Sequence, residues 1–137
     1  MVNFELIKLE MELPLNATVE FFKLEVNGKC PFDEFWEKMA ASGNQNKAMD
    51  KVLAIISFLS QGTRVPPEQF KELRHRREND PWPDYEIRAK QIRIYLFEDS
   101  EKRKIIVLGE LKTEKTQEKN IAKMRDIKLA YFKLQQA

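Results

Sequence analysis

Between residues 84 and 111 the chain carries three strand-like stretches joined by links too short to hold a helix. In 91–97, Ile92, Ile94 and Leu96 fall on one side and Arg93, Tyr95 and Phe97 on the other, because side chains on a strand alternate faces. In 84–90, Tyr85, Ile87 and Ala89 share a side, opposite Glu86, Arg88 and Lys90. Residues 104–111 read as a buried strand, reached through the turn at 98–102. Short links allow only antiparallel neighbours, so these stretches predict a three-stranded meander. The junction Ala89-Lys90-Gln91 has neither Gly nor Asn to supply the positive φ of a tight turn. A bulged or continuously bent strand is the alternative there.

Such a sheet needs a covering layer, and the first half of the chain supplies it. Pro31 stands where a first helical residue belongs, with Asp33 and Glu34 in the first turn. Phe32, Phe35, Trp36 and Met39 follow at helical spacing, and Ser42-Gly43 supplies a stop. A second helix, 46–60, buries Met49, Val52, Leu53, Ile56 and Leu59 and ends at Gly62. The two predict a helical hairpin on one side of the sheet. Ahead of them, 3–13 alternates as a strand with Ile7, Leu9, Met11 and Leu13 on one face, and 18–26 is a second strand ended by Asn27-Gly28. Residues 70–79, between prolines, predict one helical turn or an extended connection. The basic segment 112–116 crosses to a C-terminal helix, 117–134. That helix puts Ile121, Met124, Ile127, Tyr131 and Leu134 on its buried face and leaves Lys119, Lys123, Arg125 and Lys128 mostly outside. The expectation is a single α+β domain over 1–137.

Scarce residues bound the chemistry. Cys30 is the only cysteine and His75 the only histidine, which argues against a disulfide, a zinc site or a histidine-based triad, and suits a reducing cytoplasm. Four glycines, none in a G-x-G arrangement, leave no nucleotide-binding fingerprint. No metal or cofactor is expected. The apolar run 52–59 is far too short to span a bilayer, and the chain start lacks the pattern of a secretory signal, so the expected location is cytoplasmic without membrane contact. Charge is uneven. Residues 85–137 hold 13 Lys+Arg against 8 Asp+Glu and residues 1–63 hold 6 against 9, so a net charge of +2 conceals a basic second half. That is the footprint of a polyanion binder.

Two groups of cations stand out. If 84–90 and 91–97 pair as neighbours, Arg88, Arg93 and Tyr95 converge on one surface, where guanidinium groups suit a phosphodiester and a phenol ring can stack on a base. The same residues also suit a solvated face whose arginines pair with Glu86 or Glu98. Lys112, Lys115, Lys119 and Lys123 form the second group, near the positive end of the last helix. They equally suit an ordinary solvated helix face with Glu114 and Glu118 as partners. His75 sits in a basic loop, Arg74-His-Arg-Arg77, and reads as solvent-exposed.

The order of these pieces resembles a known family. Val19-Glu-Phe-Phe22 with Gly28-Lys-Cys-Pro-Phe-Asp-Glu-Phe35 is similar to the start of HigB-like, phage-derived members of the RelE/ParE toxin superfamily. Phe70-Lys-Glu-Leu73 resembles the connection that precedes the family's sheet, and Tyr85-Glu-Ile-Arg88 with Ile92-Arg-Ile-Tyr95 resembles its paired arginine strands. Ile105-Ile-Val-Leu-Gly109, then Lys112, Lys115-Thr-Gln117 and a basic helix, resembles its closing unit. The match runs collinearly over about residues 18–134, with the strand at 3–13 as an addition. It implies a RelE-like twisted antiparallel sheet with an N-terminal helical hairpin on one side and a C-terminal helix. It also implies a cognate antitoxin partner, of helix-turn-helix type, and metal-free cleavage of ribosome-bound mRNA by 2′-hydroxyl attack on the adjacent phosphate. In that scheme Arg88, Arg93, Lys112 and Lys115 are catalytic, while Tyr95, Lys90, Lys119 and Lys123 bind RNA. The chain departs from the pattern in carrying Glu110-Leu-Lys112 where the family has a double lysine, in the register of Tyr95, and in having Ile121 where some members have a tyrosine. The alternatives within the resemblance are a ParE-type inhibitor of DNA gyrase that does no chemistry and an inactive relic that keeps the antitoxin groove.

Overall fold

A computed structural model describes residues 2–135. The elements run β1 (Phe4–Lys8), β2 (Phe21–Val26), α1 (Pro31–Ser42), α2 (Asn46–Ser60), β3 (Phe70–Glu72), β4 (Asp84–Ala89), β5 (Ile92–Glu98), β6 (Lys104–Leu111), a 3₁₀ turn (Lys112–Glu114) and α3 (Gln117–Gln135). All six strands join one sheet in the order β1-β2-β6-β5-β4-β3. The meander β4-β5-β6 is antiparallel as the alternation requires. The sheet as a whole is mixed, which corrects the purely antiparallel expectation: β2 pairs parallel to β6, over Phe21–Lys23 and Lys104–Ile106 only. Sequence-distant strands can run parallel because the intervening helices carry the chain back across the sheet. Two strands precede α1 and α2, in the order that the patterns at 3–13 and 18–26 predict.

The strand alternation builds two separate cores on the two sheet faces. Ile87, Ala89, Ile92, Ile94, Leu96 and Ile106 face α1 and α2, where Phe32, Met39, Val52, Ile55 and Ile56 close the layer. Tyr95, Phe97, Ile105 and Leu108 face α3, packed by Met124, Tyr131 and Phe132. A bulge on β6 changes the register between Tyr95↔Leu108 and Leu96↔Ile106, which lets Val107 join Ile105 and Leu108 in the α3 core. Gly109 allows α1 its close approach: a Cβ there would lie 2.6 Å from a ring carbon of Phe35.

Several boundaries differ from the sequence reading for identifiable reasons. β1 stops at Lys8, because Leu9, Met11 and Leu13 leave the sheet to pack on the α1/α2 core. β2 begins at Phe21 and not at residue 18, since the Thr18 and Val19 amides both donate to the Ser60 carbonyl at the end of α2, at 2.7 and 3.0 Å. Between β4 and β5 the chain makes a tight turn with Ala89 opposite Ile92, not a bulge or bend, and Lys90 takes the positive φ (53°) itself. Residues 70–72 add an edge strand, within the extended alternative for that segment.

The largest correction lies in α3. Arg125 and Lys128 are buried, not solvated, and Leu134 is 43% exposed, not buried. Arg125 forks onto Asp84, Nε to Oδ2 at 2.8 Å and Nη2 to Oδ1 at 3.0 Å. Lys128 Nζ lies 2.7 Å from both Asp80 Oδ2 and Asp84 Oδ2 and donates to the Trp82 carbonyl at 2.7 Å. Two acids and two bases thus neutralise each other inside the fold, as buried charge requires.

Candidate nucleic-acid interface

The strand pairing puts Arg88 and Arg93 directly opposite one another on the α3 face of the sheet. Their environments differ. The Arg88 side chain is 34% exposed and pairs through Nε with Glu86 Oε1. Arg93 is buried and turned back into the hairpin, its Nη1 donating to the carbonyls of Lys90 at 2.8 Å and Ile92 at 2.9 Å. Its Nε stands 3.5 Å from Glu86 Oε1 and makes no hydrogen bond. Burial pulls the Arg93 pKa below its ordinary value, and the neighbouring Glu86 carboxylate opposes that pull. Arg93 therefore secures the hairpin, while Arg88 is the guanidinium that reaches solvent.

Tyr95 shares the arginine face, as the alternation predicts, but is completely buried, so its ring offers no surface for a base. Its hydroxyl donates to Glu110 Oε2 at 2.6 Å. Burial, with that hydrogen bond second, raises the tyrosine pKa well above its ordinary value. Glu110 also accepts from Thr116 Oγ1 at 2.5 Å and Asn120 Nδ2 at 2.9 Å. Glu110 is thus an internal acceptor. It fastens the start of α3 to the sheet instead of lowering the surface charge.

The remaining cations are exposed and gather at one end of the sheet. Lys90 occupies the β4–β5 turn, and the Lys112 amide, just after β6, donates to the Gln91 carbonyl of the same turn at 2.7 Å. Lys115 closes the 3₁₀ turn, its amide bonded to the Lys112 carbonyl at 3.1 Å, and α3 begins two residues later. Lys119 and Lys123 continue along one stripe of the first turns of α3. Among the described residues none of these five lysines lies within ion-pairing distance of an acid; Glu114 instead approaches Lys38, at 3.9 Å. The partners expected from Glu114 and Glu118 on an ordinary helix face are not formed. Five unpaired ammonium groups, one exposed guanidinium and the positive end of α3 make a rim suited to phosphate.

Sequence reasoning missed the buried set Asp80, Asp84, Arg125 and Lys128. Its available signals were two acids flanking the Pro-Trp-Pro stretch and two cations three apart on the helix turns that carry Met124 and Tyr131. No helix among the described residues is long and apolar enough to cross a membrane. Comparison with known proteins finds no match among protein-family models, curated proteins or solved structures.

Proposed function

We propose that this chain is the toxin of a toxin–antitoxin pair and acts on ribosome-bound mRNA through the basic rim at the hairpin end of the sheet. The observation that carries the reading is the run of cations from the β4–β5 turn (Arg88, Lys90) through Lys112 and Lys115 to the first turns of α3 (Lys119, Lys123), with the lysines free of acidic partners among the described residues. Arg88 would hold the phosphate, and Lys112 and Lys115 would stabilise the charge that develops as the 2′-hydroxyl attacks, a role worth on the order of 10²–10³ in rate per group. Arg93 and Tyr95 support the site from within. The arrangement of α1 and α2 on one sheet face and α3 on the other accords with the reading. An antitoxin would cover the rim with an acidic or apolar helix or strand.

A binding toxin that does no chemistry is favoured by one observation: the two carboxylates on the sheet beside Arg88 and Tyr95, Glu86 and Glu110, are each only 2% exposed and bonded to protein donors, so neither sheet acid is free to act as a base. Induced expression alone and beside a candidate partner encoded next to it tests the toxin reading. Growth arrest relieved by the partner is expected, and unimpaired growth overturns it. Supercoiling assays with purified gyrase separate the modes, since inhibition there with intact mRNA identifies the binding toxin. For RNA, affinity should fall with salt at a slope of roughly −2 to −3 for the four lysines from Lys112 to Lys123. Lys119→Ala with Lys123→Ala should flatten it.

A further inference from the structure

The loop Arg74-His75-Arg76-Arg77 plays no part in the rim, yet the fold invests a buried ion network in holding it. Arg125, while forked onto Asp84, donates Nη2 to the Arg74 carbonyl at 2.9 Å and Nη1 to the His75 carbonyl at 3.1 Å. The Asp80 amide closes the far side on the Arg77 carbonyl at 3.0 Å, and His75 takes a positive φ of 61°. The backbone is anchored from inside, so the side chains of Arg74, His75 and Arg77 stand outward along an open cleft of about 700 Å³. Arg74 has no acidic partner among the described residues. Arg76 pairs with Glu72 at 3.3 Å and Arg77 with Asp126 at 2.7 Å, both exposed pairs of the kind that exchange at little cost.

The Arg77–Asp126 contact places this loop relative to the rim. Asp126 follows Lys119 and Lys123 at seven and three residues, so all three share one stripe of α3. From Lys119 to Asp126 the helix rises about 10 Å. The stripe runs from the rim toward the loop, and Arg77 cancels its one acid. We infer that the Arg74–Arg77 loop is a second phosphate-contact site, and that a nucleic-acid strand engaging the rim continues along α3 to reach it. Arginine forks match phosphodiester oxygens bidentately, and a pre-ordered loop loses little entropy when it binds them. The far end of this track rests on the rim reading for its strand direction, but it requires no cleavage.

The test measures binding of the full chain to a trinucleotide RNA, a long single-stranded RNA and a duplex DNA, across a salt series, with polyglutamate as competitor. Arg74→Ala with Arg77→Ala should leave the trinucleotide affinity unchanged, because it occupies only the rim. The same change should weaken the long RNA and flatten its salt slope by about 1.4, two phosphates' worth on a single strand. A flattening with duplex DNA instead supports the site and names DNA as the source of the phosphodiester. Unchanged slopes for both long probes overturn the proposal, as does polyglutamate competing as well as RNA or an equal loss with the trinucleotide. If the trinucleotide fails to bind the unaltered chain while the long probe still depends on the two arginines, the rim reading falls and the loop site stands.

Discussion

Arg88 and Arg93 face each other across β4 and β5, and only Arg88 reaches solvent; Arg93 spends its guanidinium on the carbonyls of the turn beside it. Glu86 lies within reach of both. Arg93→Ala should therefore cost about 3 kcal/mol of stability, since it leaves two carbonyls of the hairpin without their donor and removes one of the two guanidinium charges beside the buried Glu86 carboxylate. Arg88→Ala should cost about 1 kcal/mol, because its side chain is a third exposed and Arg93 remains beside Glu86. Urea melts of the two variants decide the order, and equal losses would contradict the assignment. Glu86→Gln, which releases Arg88, should tighten phosphate binding at the rim.

Lys90 adopts a left-handed conformation that a side chain tolerates poorly. Lys90→Gly should stabilise the protein by roughly 0.5 kcal/mol, the relief of the Cβ clash outweighing the extra freedom of the unfolded chain. Lys90→Val should destabilise it. Thermal unfolding checks the sign.

Lys128 and Lys133 lie a turn and a half apart on α3 and should behave oppositely. Lys128→Met leaves Asp80 without a cationic partner and Asp84 with Arg125 alone, a loss of about 3–5 kcal/mol. Lys133→Met, at an exposed position, should shift stability by under about 0.5 kcal/mol. A tolerant Lys128 would mean the buried network does not hold the helix.

Burial first, then hydrogen bonds to Glu98 and Glu110, raise the pKa values of Tyr85 and Tyr95 above the ordinary 10.0. A raised folded-state pKa means the fold favours the neutral phenol, so this stabilisation is complete below pH 10 and is lost as pH rises beyond it. Each tyrosine held neutral should remove about 1.4 kcal/mol per pH unit above that point. Tyr95→Phe should lessen the slope by one such increment, read from urea unfolding between pH 9 and pH 11.

Local pattern was enough to read much of this fold. Residues 46–60 emerge as α2 with both ends as expected, because an apolar stripe and a following glycine are signals within one segment. The faces of β4 and β5 follow from alternation alone, which is why Arg88, Arg93 and Tyr95 were grouped correctly. Depth is a different quantity. Whether a side chain on a face is exposed depends on what covers that face, and α3 lies over Tyr95 while Arg88 stands beyond it. Arg125 and Lys128 look like solvent-facing charges until Asp80 and Asp84, more than forty residues away, are brought beneath them. At the Lys90 turn the meander reading holds and the bulged alternative does not, because Lys90 itself takes the positive φ that no Gly or Asn is there to supply.

The central claim is that the rim acts on RNA, and ribosome-bound mRNA in a translation extract tests it most directly. The unaltered protein should yield fragments ending in a cyclic phosphate. Arg88→Ala, Lys112→Ala and Lys115→Ala, each made singly, should lower the rate on the order of 10²–10³ while remaining folded. Intact mRNA after incubation with the folded, unaltered protein would contradict the account.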